Sequence, residues 1–239
     1  MTDDLTPLRL RRRPTPAQPL LGLTLLVVED SRFASEAVRL LAMRSGARLR
    51  RADCLASARR HLAVFRPAAV LVDLGLPDGC GTDLIAELRA GDVAPPAILA
   101  VTGDPAAAER ARQAGAADVL VKPLPPLAAF QSAILAHLPE DMRPVGPRAA
   151  EGGAPRPDGI ALQDDLAHAA AVLDGPGGTG EMNYAAQFLA SLARAAEDTG
   201  LAEAAGALAA SLAAGRSPEA ARGHLRRILQ ARMSERRAI

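Results

Sequence analysis

The first 138 residues alternate between short, continuous apolar runs and stretches in which apolar residues recur every three or four positions. Continuous runs of Val, Leu and Ile are typical of strands covered on both faces, and the wider spacing is typical of helices. Five runs alternate with five helical stretches, the last at about Leu127–Leu138, which predicts an α/β fold: a (βα)5 doubly wound parallel sheet. The predicted strands are Leu23–Val28, Ala47–Ala52, Ala69–Val72, Ala97–Val101 and Val119–Val121.

The last third of the chain shows only the helical pattern and is rich in alanine. Asn183 is predicted to cap the second of its helices, and Thr199-Gly200 to end that helix. A small all-α domain follows from this pattern, either a four-helix bundle or a pair of helical hairpins. The predicted helices are about Ala161–Leu173, Tyr184–Glu197, Leu201–Ala214 and Pro218–Arg237.

Two stretches of different composition divide the chain. Residues 1–21 are rich in proline and arginine and lack periodicity, which predicts a flexible basic N-terminal tail. Residues 139–157 hold five prolines and three glycines, a composition typical of an extended linker. The predicted organisation is therefore an α/β domain at 22–138 and a helical domain at 158–239, joined by this linker.

The overall composition is that of a globular chain without strong net charge. Of 239 residues, 49% are hydrophobic and 23% charged, and 28 basic against 27 acidic residues leave a net charge of +1. This balance does not favour bulk nucleic acid or an anionic membrane as a partner. Two cysteines cannot form a disulfide framework, no apolar run is long enough to span a membrane, and the N-terminus lacks a secretory pattern. We expect a cytoplasmic protein with no membrane partner.

Polar side chains follow four of the five predicted strands. Glu29 and Asp30 follow the first strand, Asp73 the third, Thr102 the fourth and Lys122 the fifth. Because the carboxyl ends of parallel strands meet at one edge of a sheet, we expect these groups to converge. Three neighbouring carboxylates repel one another unless a cation joins them, and oxygen ligands favour Mg²⁺. Lys122 is the sole lysine among 28 basic residues; with a nearby hydroxyl, its ammonium suits a phosphoryl group.

Around these residues the sequence resembles the receiver domains of response regulators in two-component signalling. The matching segments are LLVVEDSRF, VLVDLGLPDGCGTDLI, ILAVTGD and AGAADVLVKP, in order over residues 23–138. The resemblance implies a flavodoxin-like receiver fold at 22–138 and a role for each site residue. By this resemblance Asp73 is the phosphoacceptor; Glu29, Asp30, Asp73 and the backbone carbonyl of Gly75 hold Mg²⁺; Thr102 bonds the phosphoryl group; and Lys122, before a cis peptide bond to Pro123, pairs with it.

The resemblance also implies a signalling function. A histidine kinase or a histidine phosphotransfer protein would donate the phosphoryl group to Asp73, and the acyl phosphate would shift a two-state equilibrium that changes protein–protein interactions. Receivers usually carry Tyr or Phe three positions before the lysine, where this chain has Val119, so the switch at Thr102 and Val119 is atypical. We interpret the chain as a phosphorelay response regulator, not an enzyme, with a helical output or dimerisation domain.

Three alternatives stay open. The last predicted helix contains six arginines, which is compatible with DNA- or RNA-binding output. An Mg²⁺-dependent aspartyl-phosphate phosphohydrolase would share the acidic cluster, although such enzymes usually carry a second acid where this chain has Gly75. The alanine-rich helices could also pack as a homodimer. His168 lacks the lysine and glycines that follow the histidine of phosphotransfer domains, so we interpret it as structural.

Overall fold

A five-stranded parallel sheet forms the centre of the N-terminal domain. The computed structural model describes residues 14–91, 94–145, 153–176 and 178–235. The sheet has the strand order β2-β1-β3-β6-β7, and all its pairings are parallel. The predicted strands are confirmed to within one residue at either end. The strands are β1 Thr24–Val28, β2 Arg48–Ala52, β3 Ala69–Asp73, β6 Ala97–Thr102 and β7 Asp118–Val121, with a two-stranded hairpin of β4 Gly75–Leu76 and β5 Gly79–Cys80 after β3.

Helices cover both faces of this sheet, because successive side chains of a strand point to opposite sides. In β1, Leu25 and Val27 pack into one apolar cluster, whose helical members come from α1 and α5. Leu26 and Val28 pack into the other cluster, with residues of α2, α3 and α4. The (βα)5 fold is therefore confirmed. Its helices are α1 Arg32–Arg44, α2 Leu55–Val64, α3 Gly81–Ala90, α4 Ala108–Gln113 and α5 Leu127–Leu135, with a short 3-10 helix at Pro105–Ala107.

The domain begins earlier in the chain than predicted. Leu20, which we assigned to the flexible tail at 1–21, is fully buried in the cluster under α1 and α5. Its backbone N–H donates to the carbonyl oxygen of Ser45 at 2.9 Å. The boundary at residue 22 was therefore too late, because one apolar residue in a proline-rich stretch has no periodic neighbours to reveal it. Residues 1–13, which carry the basic cluster of the predicted tail, lie outside the described residues.

The predicted linker is irregular over most of its described length. It opens with a short 3-10 helix at Glu140–Met142, and Met142 packs against the sheet core. Residues 146–152 lie outside the described part of the chain.

The C-terminal domain consists of helices, as predicted, packed around one apolar cluster. The second begins earlier than expected: Asn183 lies inside it rather than capping it, and Gly178 takes the N-cap position. Thr199-Gly200 start the third helix instead of ending the second, because the Asp198 side chain accepts the N–H of Leu201 at 3.0 Å. These described helices are α6 Gly159–Asp174, α7 Thr179–Ala195, α8 Thr199–Ala213 and α9 Glu219–Glu235.

The helical domain packs directly against α1 of the sheet domain. Phe33, on the first turn of α1, belongs to the apolar cluster of the helical domain together with Leu162, Leu166 and Phe188. The two domains therefore share a hydrophobic contact, which the irregular linker between them did not predict.

Candidate functional site

The structure brings the predicted acidic residues together at one edge of the sheet. Glu29 directly follows β1, and Asp73 is the last residue of the neighbouring β3. One carboxylate oxygen from each of Glu29, Asp30 and Asp73 lies within 4.8 Å of the other two. Glu29 is 2% exposed and Asp73 3% exposed, so these acids meet largely out of water. Their proximity follows from the parallel pairing of β1 and β3, which ends both strands at the same edge.

Lys122 reaches this cluster from the end of the edge strand β7. Its ammonium Nζ lies 2.7 Å from Glu29 Oε2 and 3.4 Å from Asp73 Oδ2, and its side chain is 2% exposed. The peptide bond to Pro123 is cis, as the resemblance implied. A buried ammonium between two carboxylates is a compact, fixed positive charge, and an arginine fork would need more room.

Burial and mutual repulsion disfavour the ionised forms of the acids in this cluster. Burial, with the charge of Glu29, raises the pKa of Asp30 to about 8. The same two causes raise the pKa of Asp73 to about 7, although Lys122 acts against them. Burial alone would lower the pKa of Lys122, but attraction to Asp73 and Glu29 outweighs it, so that pKa is raised. The protein therefore holds the Lys122 ammonium firmly charged while two nearby acids resist ionisation.

The cluster fits a divalent cation by its donor set. Its ligands are carboxylate oxygens, which Mg²⁺ prefers, and a bound cation would favour the ionised forms of Asp30 and Asp73 that burial now disfavours. Gly75 lies in β4, next to the cluster, and lines a cavity with Asp73. These residues fit Mg²⁺.

Thr102 and Val119 occupy different surroundings. Thr102 ends β6, is 4% exposed and lines the same cavity as Asp73. Its hydroxyl oxygen accepts the backbone N–H of Asp104 at 3.0 Å, so it is held in the loop after the strand. Val119 lies half-buried in β7, against the cluster of α2, α3 and α4. Val119 has no hydroxyl or ring, so it cannot act as an aromatic switch.

The helical domain adds two side chains to this edge that the sequence did not predict. The hydroxyl of Tyr184 on α7 donates to Asp30 Oδ2 at 2.6 Å. Lys122 Nζ donates to Ser191 Oγ, on the same helix, at 3.1 Å. Burial and the charge of Asp30 raise the pKa of Tyr184, so the phenol stays a donor. The available signals were a sole tyrosine and a serine seven residues later, on one face of a helix.

A cavity of about 650 Å³ lies between the two domains beside Asp73. The sheet domain contributes Thr102, Asp104 and Arg110 to its walls, and α7 contributes Gln187 and Arg194. The cavity is large enough for a phosphoryl group or a small phosphate compound, and its walls offer hydroxyl, amide and guanidinium donors to such a ligand.

Residues 25–133 match the family model described as the response regulator receiver domain. Residues 25–133 are a response regulator receiver domain. The described strand order of this receiver, with its acids at the carboxyl edge, agrees with the flavodoxin-like fold that the resemblance implied.

Three known proteins are similar to this chain. The chain is 33% identical over 98 residues to the KDP operon transcriptional regulatory protein KdpE of Escherichia coli, covering 41% of this chain and 44% of KdpE. It is 26% identical to the receiver domain of a Pseudomonas aeruginosa sensor histidine kinase solved with a magnesium ion, at a TM-score of 0.44, covering 48% and 96% of the two chains. It is 31% identical to a Burkholderia pseudomallei response regulator protein solved with a phosphorylated aspartic acid, a calcium ion and citrate, at a TM-score of 0.41, covering 50% and 68%.

The receiver domain accounts for only part of the chain. The chain spans less than half the length of the curated relatives it matches, and the helical region is outside the family match. Within the described ranges, no helix combines the length and apolar character needed to cross a membrane.

His168, on α6, is exposed, and its ring packs edge-on against Phe188 at 6.4 Å.

Proposed function

We propose that this chain is a response regulator of a two-component phosphorelay, which accepts a phosphoryl group on Asp73 with Mg²⁺ and changes its protein–protein contacts in response. The observation that carries this proposal is the meeting of three carboxylates and a buried lysine at the carboxyl edge of a receiver sheet. A histidine kinase or a histidine phosphotransfer protein is the proposed donor. The site residues keep the roles that the resemblance implied.

The proposed transfer is a single in-line displacement. A carboxylate oxygen of Asp73 forms a bond to phosphorus, the P–N bond of the donor phosphohistidine breaks, and its electron pair stays on the imidazole nitrogen, which takes up a proton from water. Lys122 offsets the negative charge of the transferring oxygens, and the Thr102 hydroxyl donates a hydrogen bond to one of them. Glu29, Asp30, Asp73 and the Gly75 carbonyl would hold Mg²⁺, which would supply further positive charge when bound.

Labelling with a small phosphodonor tests the proposal. We expect the native chain, incubated with MgCl₂ and phosphoramidate, to gain one phosphoryl group per molecule by intact mass spectrometry. Fragmentation should place the group on the peptide that contains Asp73. The same incubation with EDTA is the control and should give no adduct. A chain that stays unmodified with MgCl₂, or that releases phosphate from a phosphate ester over many cycles, would contradict the proposal; the second result would support the phosphohydrolase alternative.

Nucleic-acid output is the second candidate, favoured by the arginines of α9 and by the name of the KdpE relatives. Three of these arginines bind groups within the bundle. Arg226 pairs with Asp174 at 2.7 Å, Arg232 pairs with Asp198 at 2.6 Å, and Arg222 donates to the carbonyl oxygen of Leu173. Arg236 and Arg237 lie outside the described residues. The bundle itself thus neutralises part of the basic charge that a nucleic-acid surface needs.

We therefore expect no binding of the full chain to double-stranded DNA or RNA at low salt. Fluorescence anisotropy of labelled duplexes, titrated with the chain at rising salt concentration, measures this directly. Binding that weakens steeply with salt would instead support nucleic-acid output, because each neutralised phosphate releases counterions.

A further inference from the structure

Helix α6 presents an acid to the receiver from the middle of its apolar face. Asp165 lies among Leu162, Leu166 and Ala169 on the buried face of α6 and is itself 4% exposed. A buried carboxylate is costly unless it is hydrogen-bonded, so its partners reveal what the position is for. Those partners all belong to the receiver.

The Asp165 carboxylate binds the N-terminus of α1. It accepts the Ser31 hydroxyl at 2.8 Å and the backbone N–H groups of Arg32 at 3.1 Å and Phe33 at 3.0 Å. The first N–H groups of a helix lack partners inside the helix and attract negative charge. A residue of the helical domain therefore completes the first turn of the helix that follows Glu29 and Asp30.

Helix α7 lies on the phosphoacceptor edge itself. The Tyr184 hydroxyl donates a hydrogen bond to one oxygen of Asp30, an expected metal ligand. Ser191 accepts a hydrogen bond from Lys122, the expected partner of the phosphoryl group. The backbones are close as well, because a methyl group placed on Gly103 would lie 3.0 Å from the Cα of Ser191. The helical domain thus uses the same side chains that the proposed phosphoryl chemistry needs.

We propose that the helical domain is an intramolecular cap on the phosphoacceptor edge, which competes with Mg²⁺ and the phosphoryl group for Asp30 and Lys122 and is released when the site is loaded. This inference rests on the proposed function, since it assumes that the edge is a phosphorylation site. The cap's contacts are Asp165 on α1, Tyr184 on Asp30 and Ser191 on Lys122. Its release frees the apolar surface around Phe33, which then becomes available to a protein partner.

Competition of this kind is reciprocal. If Mg²⁺ and the cap exclude each other at Asp30, Mg²⁺ loosens the cap to the same degree that the cap weakens Mg²⁺ binding. The hydrogen bond from Tyr184 can be tested on its own. Tyr184→Phe keeps the ring and its packing against Phe188 but removes the hydroxyl that donates to Asp30. The loss of one hydrogen bond of this kind corresponds to about a tenfold effect on an equilibrium.

We expect Tyr184→Phe to bind Mg²⁺ about tenfold more tightly than the native chain, measured by calorimetric titration of the full chain with MgCl₂. Ser217→Ala is the control, since it removes a hydroxyl from an exposed loop of the same domain; its affinity should equal the native value. Tyr184 is the sole tyrosine and the chain has no tryptophan, so the native emission gives a second readout. The emission should rise with MgCl₂ as the carboxylate that quenches the phenol leaves it. Equal Mg²⁺ affinity of the Tyr184→Phe and native chains would overturn the proposal.

Hydrogen exchange tests the release of the cap in the native chain. Asp165 protects the amides of Arg32 and Phe33, so we expect both to exchange at least about tenfold faster by NMR after addition of MgCl₂ and beryllium fluoride, a phosphoryl mimic. The amide of Leu208, in the buried core of the helical domain, should be unchanged. Asp165→Ala provides the reference, with fast exchange at both positions before any addition. Unchanged protection of Arg32 and Phe33 in the loaded native chain would refute the cap.

The two proposals fail in different ways. If phosphoramidate leaves the chain unmodified, the proposed function is wrong, and the cap falls with it. If Asp73 is labelled but Tyr184→Phe binds Mg²⁺ like the native chain and the amides that Asp165 protects stay protected in the loaded chain, the cap alone is wrong. The helical domain is then a fixed structural neighbour.

Discussion

Asp73→Asn is expected to abolish phosphorylation and at the same time to stabilise the metal-free chain at neutral and higher pH. Asparagine keeps the shape of the side chain but offers no carboxylate oxygen as nucleophile, so no acyl phosphate can form. We expect no adduct after incubation with MgCl₂ and phosphoramidate, measured by intact mass spectrometry.

The gain in stability follows from the raised pKa of Asp73. Burial and the charge of Glu29 raise this pKa from 3.8 to about 7. The folded chain therefore holds the proton more tightly than the unfolded chain, and the stability of the native chain falls as pH rises from about 4 to about 7. Asparagine has no proton to lose. In EDTA, the melting temperature of Asp73→Asn should exceed the native value at about pH 8 and approach it at about pH 4.

Asp83→Asn is the matched control for this substitution. Asp83 also lines the cavity beside the site, but it is exposed on the first turn of α3. Its replacement should leave both the labelling and the pH dependence of the melting temperature at native values. A phosphoryl adduct on the Asp73→Asn chain would show that another residue is the acceptor. A melting temperature below the native value at about pH 8 would show that the Asp73 carboxylate stabilises the metal-free fold.

The sheet and its acidic edge could be predicted because local signals were enough. Fully buried strands such as β3 and β6 appear in the sequence as unbroken apolar runs, with a polar residue where each run ends. Parallel pairing then places Asp73 and Lys122 at one edge, and the resemblance to receivers adds the roles. The sole lysine was itself a signal, since a compact ammonium is what the space between Glu29 and Asp73 accepts.

The contacts between the domains could not be predicted, because they join residues far apart in the chain. Tyr184 and Asp30 are 154 positions apart, and no periodicity couples the two. Asp165 is an acid at a core position of an amphipathic helix, an inconsistency that marks a specific partner without identifying it. Asn183 illustrates the opposite error, since a good N-capping residue does not start a helix when the turn before it also packs well: Met182 contacts the apolar cluster of the bundle.

Gly81→Ala is expected to destabilise the receiver by about 3 kcal/mol and to impair labelling of Asp73. Gly81 is the first residue of α3 and lies against the end of β3. A methyl group at this position would overlap the carbonyl oxygen of Asp73 and would lie 2.9 Å from Cγ1 of Val72. Relief of the overlap requires the backbone of Asp73 to move, since a carbonyl group in a paired strand cannot rotate away like a flexible side chain. The free energy of unfolding, from urea denaturation, measures the cost.

Gly91→Ala provides the control at the other end of the same helix. An added methyl group there would meet its nearest neighbour, the Glu87 carbonyl oxygen, at 3.6 Å, an ordinary van der Waals contact. We expect a change in unfolding free energy of less than about 0.5 kcal/mol and native labelling of Asp73. Native-like stability of Gly81→Ala would mean that α3 can shift away from β3 without cost. Destabilisation of Gly81→Ala with full labelling would mean that the phosphoacceptor does not depend on the exact path of its own backbone. Either result would show that the position of Asp73 does not depend on the close approach at Gly81. Loss of both stability and labelling in Gly81→Ala, but not in Gly91→Ala, would show that it does.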